Sequence, residues 1–237
     1  MTAQPDAELH EHTHADVSGG WLRAAVFGGM DGLVTNTALV AGVGGGGAGT
    51  HAVVLTGVAG LAAGAISMAL GEYTSVSTQN EQLDLEVAKE RRELATNPVG
   101  EQAELAELWR DRGLDAELAE AVAAQLSRDP EQALRVHTLN ELGLDPEDKP
   151  SPMTAAVSSF ACFAVGALIP LLPYLLGAPE LWLALLCGGL GLVVAGALSA
   201  RFTPRPWWSA GLRQLVFGAV AATATYLIGT AIGVGTG

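Results

Sequence analysis

Two carboxylates stand inside apolar runs. Asp31 lies within WLRAAVFGGMDGLVTNTALVAGV, and Glu72 lies near the end of VVLTGVAGLAAGAISMALGEYTSV. A charge at membrane depth costs roughly 2.5–3.5 kcal/mol even on the gentlest scale, so such a residue is a functional-site hypothesis by default. Met68 precedes Glu72 by one helical turn, which puts a thioether sulfur and a carboxylate on one face. That donor pair suits a borderline transition metal better than Mg²⁺ or Ca²⁺. Both carboxylates are also able to carry protons. The competing readings are a polar contact between helices for Asp31, a Glu72 that snorkels to the interface, and Met68 as core filler.

A second set of candidate ligands lies downstream. Glu90 and Glu93 stand at i, i+3, as do Glu101, Glu104 and Glu107, while His137 and Glu141 stand at i, i+4. Carboxylates stacked on one helix face repel by a few tenths of a kcal/mol per pair. A divalent cation turns that repulsion into ligation; an ordinary solvated acidic face is the alternative on spacing alone. The leading segment also holds His10, Glu11, His12 and His14. Glu11 and His14 satisfy Glu-x-x-His, but a di-iron site needs that motif on packed helices. A polar tail, at most a weak metal collector, is the expectation there. Cys162 and Cys187 fall in apolar runs and read as small buried hydrophobes, with neither a disulfide framework nor zinc spacing.

The elements that must hold these residues are helical. The 237-residue chain is 49% hydrophobic and only 16% charged, a mix that excludes an ordinary soluble domain and a disordered chain. Runs long enough to span a bilayer are read at Leu22–Val43, Val53–Ser77, Ala155–Leu176, Leu181–Ala200 and Leu212–Val234. The first has a polar, acidic leader and no small-residue cleavage site, so it does not read as a signal peptide. Between them, NEQLDLEVAKERRELA continues the second run out of the membrane and breaks at Asn97-Pro98. Three more helices are expected: GEQAELAELWRDR ending at Gly113, DAELAEAVAAQLSR ending at Asp129-Pro130, and EQALRVHTLNEL ending at Gly143. Leu105, Leu108, Leu118, Val122 and Leu126 recur at helical spacing and supply a small bundle core. Gly28, Gly29 and Gly32, and Gly60 with Gly64, form small faces for close helix approach.

Charge sets the orientation. Of the 12 Lys and Arg, Arg23 precedes the first span, eight lie between spans two and three, and Arg201, Arg205 and Arg213 lie between spans four and five or at their ends. The loops VGGGGAGTHA and LGAPE hold none. The positive-inside rule then predicts a cytoplasmic N-terminus, a cytoplasmic acidic segment and a C-terminus outside. The expected organisation is a polar tail over 1–20, spans one and two over 21–79, an acidic helical domain over 80–150, and spans three to five over 151–237. Between Glu81 and Lys149, 18 acidic residues face 8 basic ones. A nucleic-acid partner is excluded, since phosphates demand a basic face. Cations and the lipid bilayer are the expected partners.

DGLVTNTALVAGV, AGAISMALGEYTSVSTQNE and ELGLDPEDKPSPMTAAVSSFACFAVGALIPLLPY together resemble the vacuolar iron transporter family, over almost the whole chain from about Gly20. The resemblance implies an all-α membrane protein with five transmembrane helices per protomer and a cytoplasmic helical metal-binding domain between helices 2 and 3. It also implies a homodimer and proton-coupled movement of Fe²⁺ out of the cytosol. By position, Asp31 and Met68 fall on the family's membrane translocation residues, whereas the plant members' membrane glutamate falls on Gly60. Glu72 then stands in for that carboxylate at a shifted position. Glu90, Glu93, Glu101, Glu104 and Glu141 match the family's metal-binding glutamates. His137 and Thr138 replace a methionine pair found in some members, and only His137 keeps ligand chemistry.

The resulting expectation is a non-enzymatic, homodimeric exporter of Fe²⁺ and also Mn²⁺, driven by protons, with no tightly bound cofactor. The chain reads as a multi-pass protein of a prokaryotic plasma membrane. A membrane-anchored metal buffer or sensor without transport is the rival. A ferroxidase is disfavoured by the lack of a helical Glu-x-x-His.

Overall fold

The computed structural model describes residues 20–234, apart from 142, 144 and 203. His10, Glu11, His12 and His14 lie outside the described residues. All regular structure among the described residues is helical: α1 (Trp21–Gly45), α2 (Thr50–Thr96), α3 (Pro98–Asp111), α4 (Ala116–Leu126), α5 (Pro130–Glu141), α6 (Pro152–Leu168), α7 (Leu172–Leu175), α8 (Leu181–Ser199) and α9 (Trp207–Val234). Among the described residues, five stretches are long and apolar enough to cross a membrane, namely Trp21–Gly45, Thr50–Thr96, Pro152–Leu175, Leu181–Phe202 and Trp207–Gly233.

The apolar helices pack around α1, which lies against α6, α9, α2 and α8. The α1–α6 contact is close because neither helix carries a side chain at the crossing. A Cβ on Gly32 would collide with the Phe163 carbonyl, and one on Gly166 with the carbonyl of Gly29. Small residues are what let membrane helices approach this far. Asn36 donates from Nδ2 to the Ala167 carbonyl at 2.5 Å. That carbonyl lies at the end of α6, where Pro170 interrupts the helix and a 3₁₀ turn (Ile169–Leu171) follows. Pro170 cannot continue the backbone ladder, so a side-chain donor from α1 fits there. Outward-facing Leu55, Ile66, Leu70, Val220 and Ile228 are all more than half exposed, a surface suited to lipid rather than water.

α2 is a single helix of 47 residues that leaves the apolar bundle and carries the polar helices on its far half. Its backbone stops where Asn97 precedes Pro98, and the Asn97 side chain accepts from the Gly100 amide at 3.2 Å to start α3. α3 ends before Gly113, whose φ of +100° is open to glycine and strained for other residues. Asp115 caps α4 by accepting from Leu118 N at 2.9 Å, and Asp129 accepts from Glu131 N at 3.0 Å at the start of α5. Arg91 of α2 pairs with Glu131 of α5 at 2.9 Å, and Lys149 pairs with Asp84.

One expected core position is not in the core. Leu118 is 51% exposed, while α4 buries Ala119 and Ala123. Ala123 packs with Leu105 and Ala106 of α3, flanked by Trp109, Leu126 and Val136. The alanines let α3 and α4 approach closely, and that rotation of α4 turns Leu118 outward. The last helix also starts earlier than Leu212, at Trp207 directly after Pro206, because proline is compatible with a helix start.

Candidate metal centre

Three helices bring ligand atoms to one point. Glu90 comes from the far half of α2, Glu101 from the first turn of α3 and His137 from the second half of α5. One ligand atom from each lies within 4.8 Å of the others, and all three residues are buried. Their positions follow from the local folding just described. The break at Pro98 turns α3 back alongside α2, and Asp129 starts α5 so that His137 and Thr138 face inward. The Thr138 hydroxyl donates its proton to the Leu134 carbonyl at 2.8 Å, which fixes its orientation.

The geometry around His137 is crowded with acceptors. Its Nδ1 lies 3.1 Å from Glu90 Oε1, 3.3 Å from Glu141 Oε1 and 3.9 Å from Glu101 Oε2. One ring nitrogen can give one proton, so three carboxylates cannot all be satisfied by it. Glu90 Oε1 and His137 Nε2 are both buried without a hydrogen-bond partner, the 3.1 Å contact notwithstanding. Buried polar atoms are seldom left this way, and a site built to hold an ion is one recognised cause. A cavity of about 20 Å³ adjoins the cluster, lined by Glu86, Lys89, Glu90, Thr138 and Glu141. That is room for one water or one ion.

Electrostatics tell the same story. Burial, first, and then the charge of Glu141 push Glu90 up to about 7, Glu101 and Glu93 adding to the rise and His137 opposing it. Burial likewise raises Glu101, followed by the charges of Glu104, Glu93 and Glu141, again against His137. The carboxylates resist being charged together, which is the condition a divalent cation relieves.

The nine residues singled out from sequence therefore separate. Glu90, Glu101 and His137 form the buried cluster, with Glu141 at its more exposed edge. Glu104 is exposed and Glu93 half-buried; both act on the cluster through charge. In the apolar bundle, Asp31 accepts from the Thr35 hydroxyl at 3.4 Å, and Met68 packs beside Phe163 and Ala65. Glu72 is buried and accepts from Arg23 at 2.9 Å. Among the described residues, neither Asp31 nor Glu72 belongs to a group of three acidic, His or Cys ligands. Arg23 is the residue that sequence reasoning missed. The signal was present: it sits in the first turn of α1, level with Glu72 at the middle of the antiparallel α2, where its apolar half ends.

Long apolar helices around α1, with a buried acid–histidine cluster on a polar helical extension, define a multi-pass helical membrane protein with a candidate divalent-metal centre. The profile of the VIT family matches residues 22–230, and the chain belongs to that family. It is 37% identical over 238 residues to a protein of Acanthamoeba castellanii named "Vacuolar iron transporter", covering 98% of this chain and 82% of that one. Two rice proteins (Oryza sativa subsp. japonica) are similar as well. "Vacuolar iron transporter 1" is 32% identical, covering 95% of this chain and 92% of its own length. "Vacuolar iron transporter 2" is 34% identical, with 94% and 93% covered.

Proposed function

We propose that this protein moves Fe²⁺, and also Mn²⁺, out of the cytosol in exchange for protons, as a homodimer with five transmembrane helices per protomer. The observation that carries this reading is the convergence of Glu90, Glu101 and His137 on the same helix system that bears Met68 and Glu72. The names of the relatives supply the metal. The arginine and lysine distribution supplies the direction, with N-terminus and acidic helices in the cytoplasm and C-terminus outside; the plasma membrane is the membrane we assign to it.

The segment over 80–150 works as a collecting domain. Glu93 and Glu104 supply negative potential, while Glu90, Glu101, Glu141 and His137 supply donors. Glu72 lies 18 residues before Glu90, about 27 Å along a continuous α2 at 1.5 Å per residue. Metal then passes to Glu72, Met68 and Asp31 in the half of the bilayer nearest the acidic helices. Arg23 balances the Glu72 charge until the cation arrives. Asp31 releases a proton as metal enters and regains it as metal leaves, while Glu72 exchanges its pairing with Arg23 for the cation.

Proteoliposomes with a metal-quenched dye inside and an imposed pH gradient test this. Wild type should take up Fe²⁺ only with the gradient, and Asp31→Ala should abolish uptake. Gradient-independent uptake, or full activity in Asp31→Ala, refutes the mechanism. A buffering role without flux draws support from one fact: the acid–histidine cluster is complete within a single chain. Removing residues 82–148 separates the two readings, because a transporter retains a slow flux through the spans and a buffer retains nothing.

A further inference from the structure

Arg201 and Arg205 line one cavity of about 620 Å³ together with Val194, Leu198 and Trp207, where α8 ends and α9 begins. Both guanidinium groups are on exposed residues, and neither forms an ion pair among the described residues. In a chain of net charge −13, two unopposed arginines in one cavity are a local reversal of sign. The start of α9 lies at the same cavity, so the positive end of a 28-residue helix adds to the field.

A second cavity, of about 440 Å³, continues from the first, since Val194 and Leu198 line both. It is a groove between α1, α6 and α8, walled by side chains such as Met30, Leu33, Val165 and Ile169 and almost devoid of polar atoms. Along α8 and the 3₁₀ turn after it (Ala200–Phe202), the groove runs from Phe202 to Gly191. The eleven steps between these two residues span about 16 Å at 1.5 Å per step. One leaflet of a hydrocarbon core of about 30 Å is about 15 Å deep. The groove thus starts at the bundle end nearest the acidic helices, under two cations, and stops at mid-bilayer.

We propose that this composite cavity binds one anionic phospholipid. Its phosphate sits at Arg201 and Arg205, Trp207 lies at the headgroup level, and an acyl chain fills the groove between α1, α6 and α8. The charge of the mouth selects the headgroup; the length and apolar lining of the groove select a lipid tail over a soluble anion. Basic pockets between helices at this depth are a recognised mode of headgroup binding. The inference rests on the bilayer reading and is independent of the transported ion.

Native mass spectrometry of the detergent-solubilised full chain tests it, titrating phosphatidylglycerol against phosphatidylcholine with the same acyl chains. Each arginine near an anionic headgroup is worth about a fivefold gain in affinity, so wild type should retain phosphatidylglycerol roughly 25-fold more tightly. Arg201→Gln with Arg205→Gln should erase the preference while leaving Mn²⁺ binding at the acidic cluster unchanged. Leu198→Trp, which fills the groove with both arginines in place, should weaken retention of both lipids. Equal retention of the two lipids by wild type overturns the proposal. So does a preference that survives the double arginine substitution. A groove closed by a second copy of the chain, seen as lipid-free dimers unaffected by Leu198→Trp, overturns it as well.

Discussion

Lowering the pH from 8 to 6 should weaken metal binding at the acid–histidine cluster by at least tenfold. Glu90 must lose its proton to act as a ligand, and burial together with Glu141 holds it at about 7. Its ionised fraction is then about 0.9 at pH 8 and about 0.1 at pH 6, so the apparent association constant falls roughly tenfold through this residue alone. A carboxylate at the ordinary 4.5 would remain more than about 95% ionised at both pH values and contribute no slope. Glu101 is raised as well, which adds to the fall. Equilibrium dialysis of detergent-solubilised protein against Mn²⁺, at fixed ionic strength and half-unit pH steps, measures it. Glu90→Gln should bind more weakly at every pH and with a shallower slope. An affinity constant within threefold from pH 8 to 6 would mean that Glu90 is charged throughout, and the crowding argument around His137 would be wrong.

The same shift sets the stability of the metal-free protein. With a folded value above the unfolded one, the Glu90 contribution is complete below about 4.5 and disappears as pH rises through about 7. Melting of the metal-free wild type should therefore drop between pH 5 and 8, and Glu90→Gln should melt higher than wild type at pH 8. Arg23→Gln leaves the buried Glu72 carboxylate without its partner. Because Arg23 is 66% exposed, the expected cost is about 1–2 kcal/mol rather than the 3–5 of a fully buried pair. Adding Glu72→Gln should recover most of the lost melting temperature, and no recovery would show that the pair is not coupled. Gly32→Ala pushes a methyl group into the Phe163 carbonyl and should cost about 1–3 kcal/mol. Size-exclusion chromatography after graded heating reads that loss, and an unchanged profile would mean that α1 and α6 are not as close as described.

Much of this architecture was legible because its determinants are local. Pro98 and Pro130 stand where helices begin, Gly113 follows the end of α3, and the apolar runs coincide with long helices. The acidic ligands were legible as a set but not as a site. Spacing at i, i+3 places Glu90 with Glu93, and Glu101 with Glu104, on shared faces. It does not say which member of each pair turns inward. For α3 that choice is made by the packing of Leu105, Ala106 and Ala123, a contact between helices with no trace in the period of either one. Leu118 failed for the same reason, since alanine fills the position its size suggested for it. Arg23 lay hidden because a lone arginine at a helix start reads first as an orientation signal.

The unbroken course of α2 makes it a lever. Glu72 and Glu90 ride on one rod about 27 Å apart, with no proline or irregular turn between them to absorb a bend. A tilt of about 5° at the bundle end would swing Glu90 by about 2 Å relative to α3 and α5. That displacement is comparable to a metal–ligand bond, and it acts on a cluster whose atoms lie within 4.8 Å. Any rearrangement of the apolar helices that rotates α2 therefore resets the grip of the acidic cluster mechanically, so that occupancy at one end and helix packing at the other are one coordinate.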